Sequence, residues 1–163
     1  MEKCAIPGVG AFIIKEEQDT EYILLQERWK KNSLEENGMF EIPAGKIREF
    51  ENIFETLRRE VKEETGLDIT EIYGEDQSLL YENGNYSVIN FMPFSCSQNL
   101  IGDYPIMVFT FVCRASGVLL NESDESQNYK WVSVDELKNI LATNPHKFYP
   151  MHVSTLRKYL TNK

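Results

Sequence analysis

Cysteine is scarce and scattered: Cys4, Cys96 and Cys113 are the only three in 163 residues, an odd number at wide spacing. That excludes a disulfide framework and a cysteine-based zinc site, and predicts reduced thiols in core or edge positions. Long apolar runs are lacking too. No stretch approaches the ~18 residues of a membrane span, and the opening MEKCAIPGVG has neither the basic start nor the apolar stretch of an export signal. The expectation is a soluble, cytoplasmic protein with no membrane partner. Basic charge is in short supply, with 17 Lys and Arg against 26 Asp and Glu and a formal charge of -9. Such a field repels polyphosphate backbones, which argues against a nucleic acid polymer as partner but leaves a small phosphorylated ligand within reach of a bridging cation. No Ser-rich or Pro-rich linker and no repeat interrupts the chain, so residues 1–163 read as one domain.

What is present suffices for one core, because a chain of this length buries about 70% of its unfolded surface. Alternating and β-branched runs predict strands over Ala5 to Lys15, with kinks at Gly8 and Gly10, and over Glu21 to Gln26. A polar loop follows from Arg28 to Asn37, then a short strand from Met39 that ends at Pro43-Ala44-Gly45. From Asn52 to Thr65 the period becomes helical: Ile53, Phe54, Leu57 and Val61 form one stripe. Asn52 is the expected N-cap, Glu55 its reciprocal capping partner, and Gly66 the left-handed stop. Further strands are expected over Ile69 to Tyr81, Tyr86 to Phe94, Ile106 to Ala115 and Tyr129 to Val132, and helices over Val134 to Ala142 and Met151 to Leu160. The fold class is α/β.

Glu60, Glu63 and Glu64 stand at i, i+3 and i+4 of the helix, so three carboxylates lie within about 5–6 Å of one another. Like charges this close cost about 4 kcal/mol per pair at 4 Å and an effective dielectric of 20. They must keep protons, splay into water or hold a divalent cation. Alone, such a trio is most often a solvated acidic face. Here it is framed by Gly45, Glu51, Arg59, Val61, Gly66 and Leu67, spaced as G-x5-E-x7-R-E-U-x-E-E-x-G-U with U a bulky aliphatic residue. A chance match to that pattern is on the order of 10⁻⁷.

On these residues the chain resembles the Nudix hydrolases, and the YKWVSVDEL segment is similar as well. The resemblance implies an α/β/α sandwich with a mixed β-sheet and a catalytic helix, and cleavage of a nucleoside diphosphate linked to another moiety with the help of Mg²⁺ or Mn²⁺. It implies metal ligation by Glu60, Glu63, Glu64 and the carbonyl of Ala44, and orientation of the acids, Glu51 among them, by Arg59. Gly45, Glu51 and Gly66 become structural members of the motif. For the general base it implies either Glu60 or Glu63, or an acid on the loop before Trp131, with Glu125 first and Glu122 second. Relatives occur as monomers and as dimers, so a monomer or homodimer is expected. The spacings that mark ADP-ribose and dinucleoside polyphosphate enzymes are missing: Glu82 and Asn83 stand where the first has proline, and Tyr81 and Tyr86 flank the tyrosine position of the second. A nucleoside triphosphate, nucleotide sugar or ADP-ribose class of substrate stays open.

Arg28 and Trp29 head a basic, aromatic segment with Lys30 and Lys31, suited to stacking a base and meeting phosphates. The bland reading is a solvated loop. His146 and His152 lack any ligand pattern and read as structural. Two alternatives compete with the enzyme: a non-catalytic nucleotide-sensing module, against which the intact acids speak, and an isopentenyl diphosphate isomerase, which would need a Cys and His metal site.

Overall fold

The computed structural model describes residues 2–163. In chain order the elements are β1 (Ile6–Glu17), β2 (Thr20–Arg28), β3 (Phe40–Glu41), β4 (Ala44–Lys46), α1 (Ile53–Thr65), β5 (Asp68–Ile72), β6 (Leu79–Asn83), β7 (Tyr86–Asn90), β8 (Ser95–Gln98), β9 (Ile106–Ser116), β10 (Ser126–Ser133), α2 (Val134–Thr143) and α3 (Pro150–Thr161). The main sheet runs β10-β2-β1-β9-β5, with β3 on β2, β4 on β1 and β8 on β9. It is mixed, because β9 lies parallel to β1 from Ile6↔Ile106 to Ile13↔Cys113 while the other pairings are antiparallel.

Strand alternation sorts the core into two layers. Val9, Ala11, Ile13, Leu24, Phe111 and Cys113 point to one face and pack on Ile53, Phe54, Leu57 and Val61 of α1. Phe12, Ile14, Ile23, Leu25 and Val112 point to the other and meet Leu137, Leu141, Leu156 and Tyr159 of α2 and α3. This is the expected α/β/α arrangement. Truncating a fully buried member such as Leu57 to Ala would cost about 2–5 kcal/mol.

Several boundaries moved. The run from Ile69 to Tyr81 is two strands, broken at Gly74, whose φ is +87°. Among the described residues β6 and β7 pair only with each other, and they carry Leu79, Leu80, Tyr81, Tyr86 and Val88 in solvent. The strand expected to reach Phe94 stops at Asn90, and β8 follows unforeseen on β9. Pro43-Ala44-Gly45 does not simply end a strand: Ala44–Lys46 pairs with β1, Gly10↔Ala44 to Gly8↔Lys46, so the two glycines sit in a ladder. Arg28 closes β2 and is buried rather than opening a polar loop. The thiols are free, Cys113 buried and Cys4 and Cys96 exposed.

Candidate active site

Helix α1 is set by its ends. The Asn52 side chain accepts a hydrogen bond from the Phe54 amide at 2.9 Å, capping the helix as expected, but Glu55 makes no reciprocal bond and stays in water, 4.0 Å from Arg58. Thr56 takes part instead, its hydroxyl donating to the Asn52 carbonyl at 3.1 Å. Gly66 ends the helix at φ +80°, where a Cβ would also stand 2.9 Å from the Val118 carbonyl oxygen. With these ends fixed, Val61 is in the core and Glu64 is buried, Glu60 is half-buried and Glu63 is exposed.

Arg59 organises the acids on the outer side. Its guanidinium donates twice to Glu51, at 2.7 and 2.9 Å, and also to Glu60 at 2.5 Å, Glu63 at 3.3 Å and the Lys46 carbonyl at 3.2 Å. The bidentate pair holds the Glu51 carboxyl down to about 2. Glu60 moves the other way: burial raises its carboxyl, Arg59 opposes, and Glu63 and Glu125 add like-charge repulsion. Glu51 therefore ties the β4–α1 loop to the helix through Arg59.

Glu64 faces inward. Its carboxylate accepts from Gln26 at 2.9 Å and from the Ala44 amide at 3.1 Å, and the Tyr129 hydroxyl donates to its backbone carbonyl. Burial and the neighbouring Glu41 carboxylate push the Glu64 carboxyl up to about 8, so at neutral pH it keeps its proton unless a cation replaces it. Because the N–H and C=O of a strand residue point to the same edge, the Ala44 carbonyl also faces α1. At Gly45 a Cβ would fall 1.9 Å from the Glu60 carboxyl carbon. Only a residue without a side chain lets Glu60 lie against β4, and this is the physical role of the motif glycine. Glu60 and Glu64 thus converge on two consecutive residues, Ala44 and Gly45.

As the side chains lie, no three His, Cys, Asp or Glu residues among the described ones cluster as metal ligands, and Arg59 holds oxygens of Glu60 and Glu63. The donor set still fits a hard divalent cation in kind: carboxylates and a strand carbonyl, no sulfur, and one buried acid whose charge lacks a cationic partner within 4 Å.

Beside these residues opens a cavity of about 550 Å³, with Glu60, Ala44, Gly45 and Lys46 on one wall. Glu125 is on its rim, paired with Lys30 at 2.5 Å, while Glu122 is exposed outside it. Arg28 also lines the cavity, but its guanidinium is bound to Glu41 at 3.0 Å and Glu36 at 3.0 Å and stacks on Tyr149 at 4.2 Å from the ring centre. Trp29 is half in solvent and not on the cavity wall; its amide donates to the Glu125 carbonyl at 2.8 Å. Glu63, paired with Arg59, is not on the wall either.

The cavity's remaining side chains were missed by sequence reasoning. Tyr104 lies on the β8–β9 loop and Tyr149 just before α3, and His152, read as structural, faces the cavity from α3. A signal existed for His152. It shares the buried positions 152, 155, 156 and 159, so a polar ring sits on an apolar helical stripe.

Residues 5–152 match the NUDIX domain family. Nudix hydrolase 8 of Arabidopsis thaliana is 43% identical over 61 residues, 37% of this chain and only 15% of that protein. The 8-oxo-dGTP diphosphatase of Buchnera aphidicola subsp. Schizaphis graminum is 29% identical over 110 residues, 66% of this chain and 68% of that one. In fold, the NUDIX domain of Shewanella oneidensis NrtR, solved with ADP ribose, superposes with a TM-score of 0.68 at 13% identity, covering 99% of this chain and 90% of that domain. The chain belongs to the Nudix hydrolase family.

Proposed function

We propose that the chain is a divalent-cation-dependent pyrophosphohydrolase that cleaves a nucleoside diphosphate linked to another moiety. The observation that carries this reading is the convergence of Glu60 and Glu64 on Ala44–Gly45 at the wall of a cavity wide enough for a nucleotide. Glu60, Glu63, Glu64 and the Ala44 carbonyl would hold Mg²⁺ or Mn²⁺. A bound ion of this kind supplies positive charge that neutralises the diphosphate and makes water a better nucleophile at neutral pH.

The chain's own residues do the rest. Lys46 has no carboxylate within 4 Å among the described residues, and with Lys30 it gives the cavity mouth cationic contacts for phosphate oxygens. Arg59 orients Glu60 and Glu63 while Glu51 fixes Arg59. Glu125, on the cavity rim, accepts the proton of the attacking water once substrate phosphates draw Lys30 away; Glu60 is the second choice. Gly45 and Gly66 are structural in this scheme.

The test is incubation with nucleoside triphosphates, ADP-ribose and nucleotide sugars in Mg²⁺ or Mn²⁺, with products resolved by chromatography. Cleavage at a phosphoanhydride bond of at least one compound, abolished by chelator, is expected. Tight binding of an intact ligand with no turnover on any of them would replace this reading with that of a nucleotide sensor.

A further inference from the structure

The cavity has a second end, under α3, where the chemistry changes from acidic to neutral. His152 is 1% exposed, lines the cavity, and its Nδ1 has no hydrogen-bond partner among the described residues. A buried polar atom without a partner costs about 1–3 kcal/mol, so such a side chain pairs with an ordered water or with a group that displaces it. Burial and the nearby Arg28 and Lys30 charges keep the imidazole neutral. It offers one donor and one acceptor and no charge.

The surroundings define what could meet it. The Tyr149 ring stands edge-on to His152 at 5.7 Å, with the Arg28 guanidinium stacked on the Tyr149 ring. Arg28 is already neutralised by Glu41 and Glu36, and Lys30, whose charge also reaches His152, is paired with Glu125. Val9, Ile106 and Val108 give the wall an apolar surface, and Tyr104 adds a second aromatic from a half-buried loop position. A flat, uncharged heteroaromatic ring brings two faces for the apolar wall and a polar edge for one imidazole.

We propose that this end of the cavity receives the base of a nucleotide and that His152 is the specificity-determining residue, bonding the polar edge of that base. The inference rests on the pyrophosphohydrolase reading only for the direction of the substrate: phosphates toward Lys46 and α1, base toward α3.

Calorimetric titration in EDTA with AMP, GMP, CMP, UMP and ribose 5-phosphate tests it without any turnover. The wild-type protein should bind at least one of the four nucleotides ten times more tightly than ribose 5-phosphate. His152→Phe, which keeps a planar aromatic ring of somewhat larger size and removes both nitrogens, should abolish that preference and leave ribose 5-phosphate binding unchanged. His152→Asn, with an amide near the Nδ1 position, should keep it within about threefold. Should His152→Phe fail a thermal-melt check of folding, Tyr104→Ala on the half-buried loop should cut the ratio of nucleotide to ribose 5-phosphate affinity at least threefold, since loss of the ring under Lys46 acts on both ligands alike. Absence of base preference in the wild type overturns the proposal, as does full preference in His152→Phe or, where that variant does not fold, in Tyr104→Ala. Failure to hydrolyse any substrate leaves these binding ratios intact and strikes only the pyrophosphohydrolase reading.

Discussion

The two ends of the cavity are built on opposite principles. At the α1 end, charge is in excess and held in place by charge: four carboxylates, an arginine and the β4 backbone share one network. At the α3 end a single neutral ring nitrogen is buried without a partner beside an arginine whose charge is already spent. The first arrangement suits a cation, which brings opposite charge and can then bridge to phosphates. The second suits recognition, because an unpaired polar atom rejects any ligand that cannot complete it more strongly than it rewards one that can.

The contrast is broken most severely at the buried acid. Glu64→Gln keeps the shape and both hydrogen-bonding positions but can no longer acquire charge. Turnover should fall by at least ~100-fold, in line with loss of a metal ligand, while the melting temperature is kept, since the wild-type carboxyl is itself neutral near pH 7. Initial rates beside a thermal melt decide it, and a near-normal rate would remove Glu64 from the site. Gly45→Ala tests the same end from the backbone. Its methyl group must displace the Glu60 carboxyl from 1.9 Å, and a drop of about 10- to 100-fold in activity is expected, the usual effect of disturbing a ligand's support. Unchanged kinetics would mean that Glu60 need not lie against β4.

These two residues also mark how far the sequence could be read. Helix α1, its Asn52 cap and Gly66 stop are local, and periodicity with capping chemistry locates them within a few residues. The motif places Glu60, Glu64 and Gly45 together because its spacing encodes one loop and one helix. The pairing of β4 with β1, the isolation of the β6–β7 ribbon and the extra strand β8 depend on partners far along the chain, which no window of residues contains. Arg28 looked like a solvated cation because its partners Glu36, Glu41 and Tyr149 come from two loops and a strand. His152 lies 92 positions beyond Glu60, and only folding brings it to the same cavity.

The α3 end should show itself in the pH dependence of stability. Burial with Arg28 and Lys30 nearby pushes the His152 imidazole down to about 3, below its unfolded value near 6.5. The unfolded chain therefore binds a proton that the folded chain refuses, and stability is complete above pH ~6.5 and is lost as pH falls from there toward 3, by up to about 1.4 kcal/mol per unit. Glu64 acts with the opposite sign between about 4.5 and 8, because its folded carboxyl keeps a proton that the unfolded one releases. It is present in both proteins when wild type is compared with His152→Asn, so the difference between their denaturation curves isolates the histidine. The variant should lose less stability from pH 6.5 to 4.5 than the wild type. Parallel curves would mean that the ring is protonated in the folded state and that the α3 end is not neutral.

The smallest effect is expected where aromatic and basic residues look most like a binding site in the sequence. Trp29 is 51% exposed and stands off the cavity wall, and only its backbone reaches the site, through the bond to the Glu125 carbonyl. Trp29→Ala keeps that amide. It should shift KM by no more than about twofold and stability by less than ~0.5 kcal/mol, as for a surface change away from packed groups. Tyr149→Ala, by contrast, removes the ring that Arg28 stacks on and His152 meets edge-on, and should raise KM several-fold more than the Trp29 change. If the tryptophan variant instead shows the larger KM, the base lies over the β2–β3 loop, and the neutral end of the cavity has some other occupant.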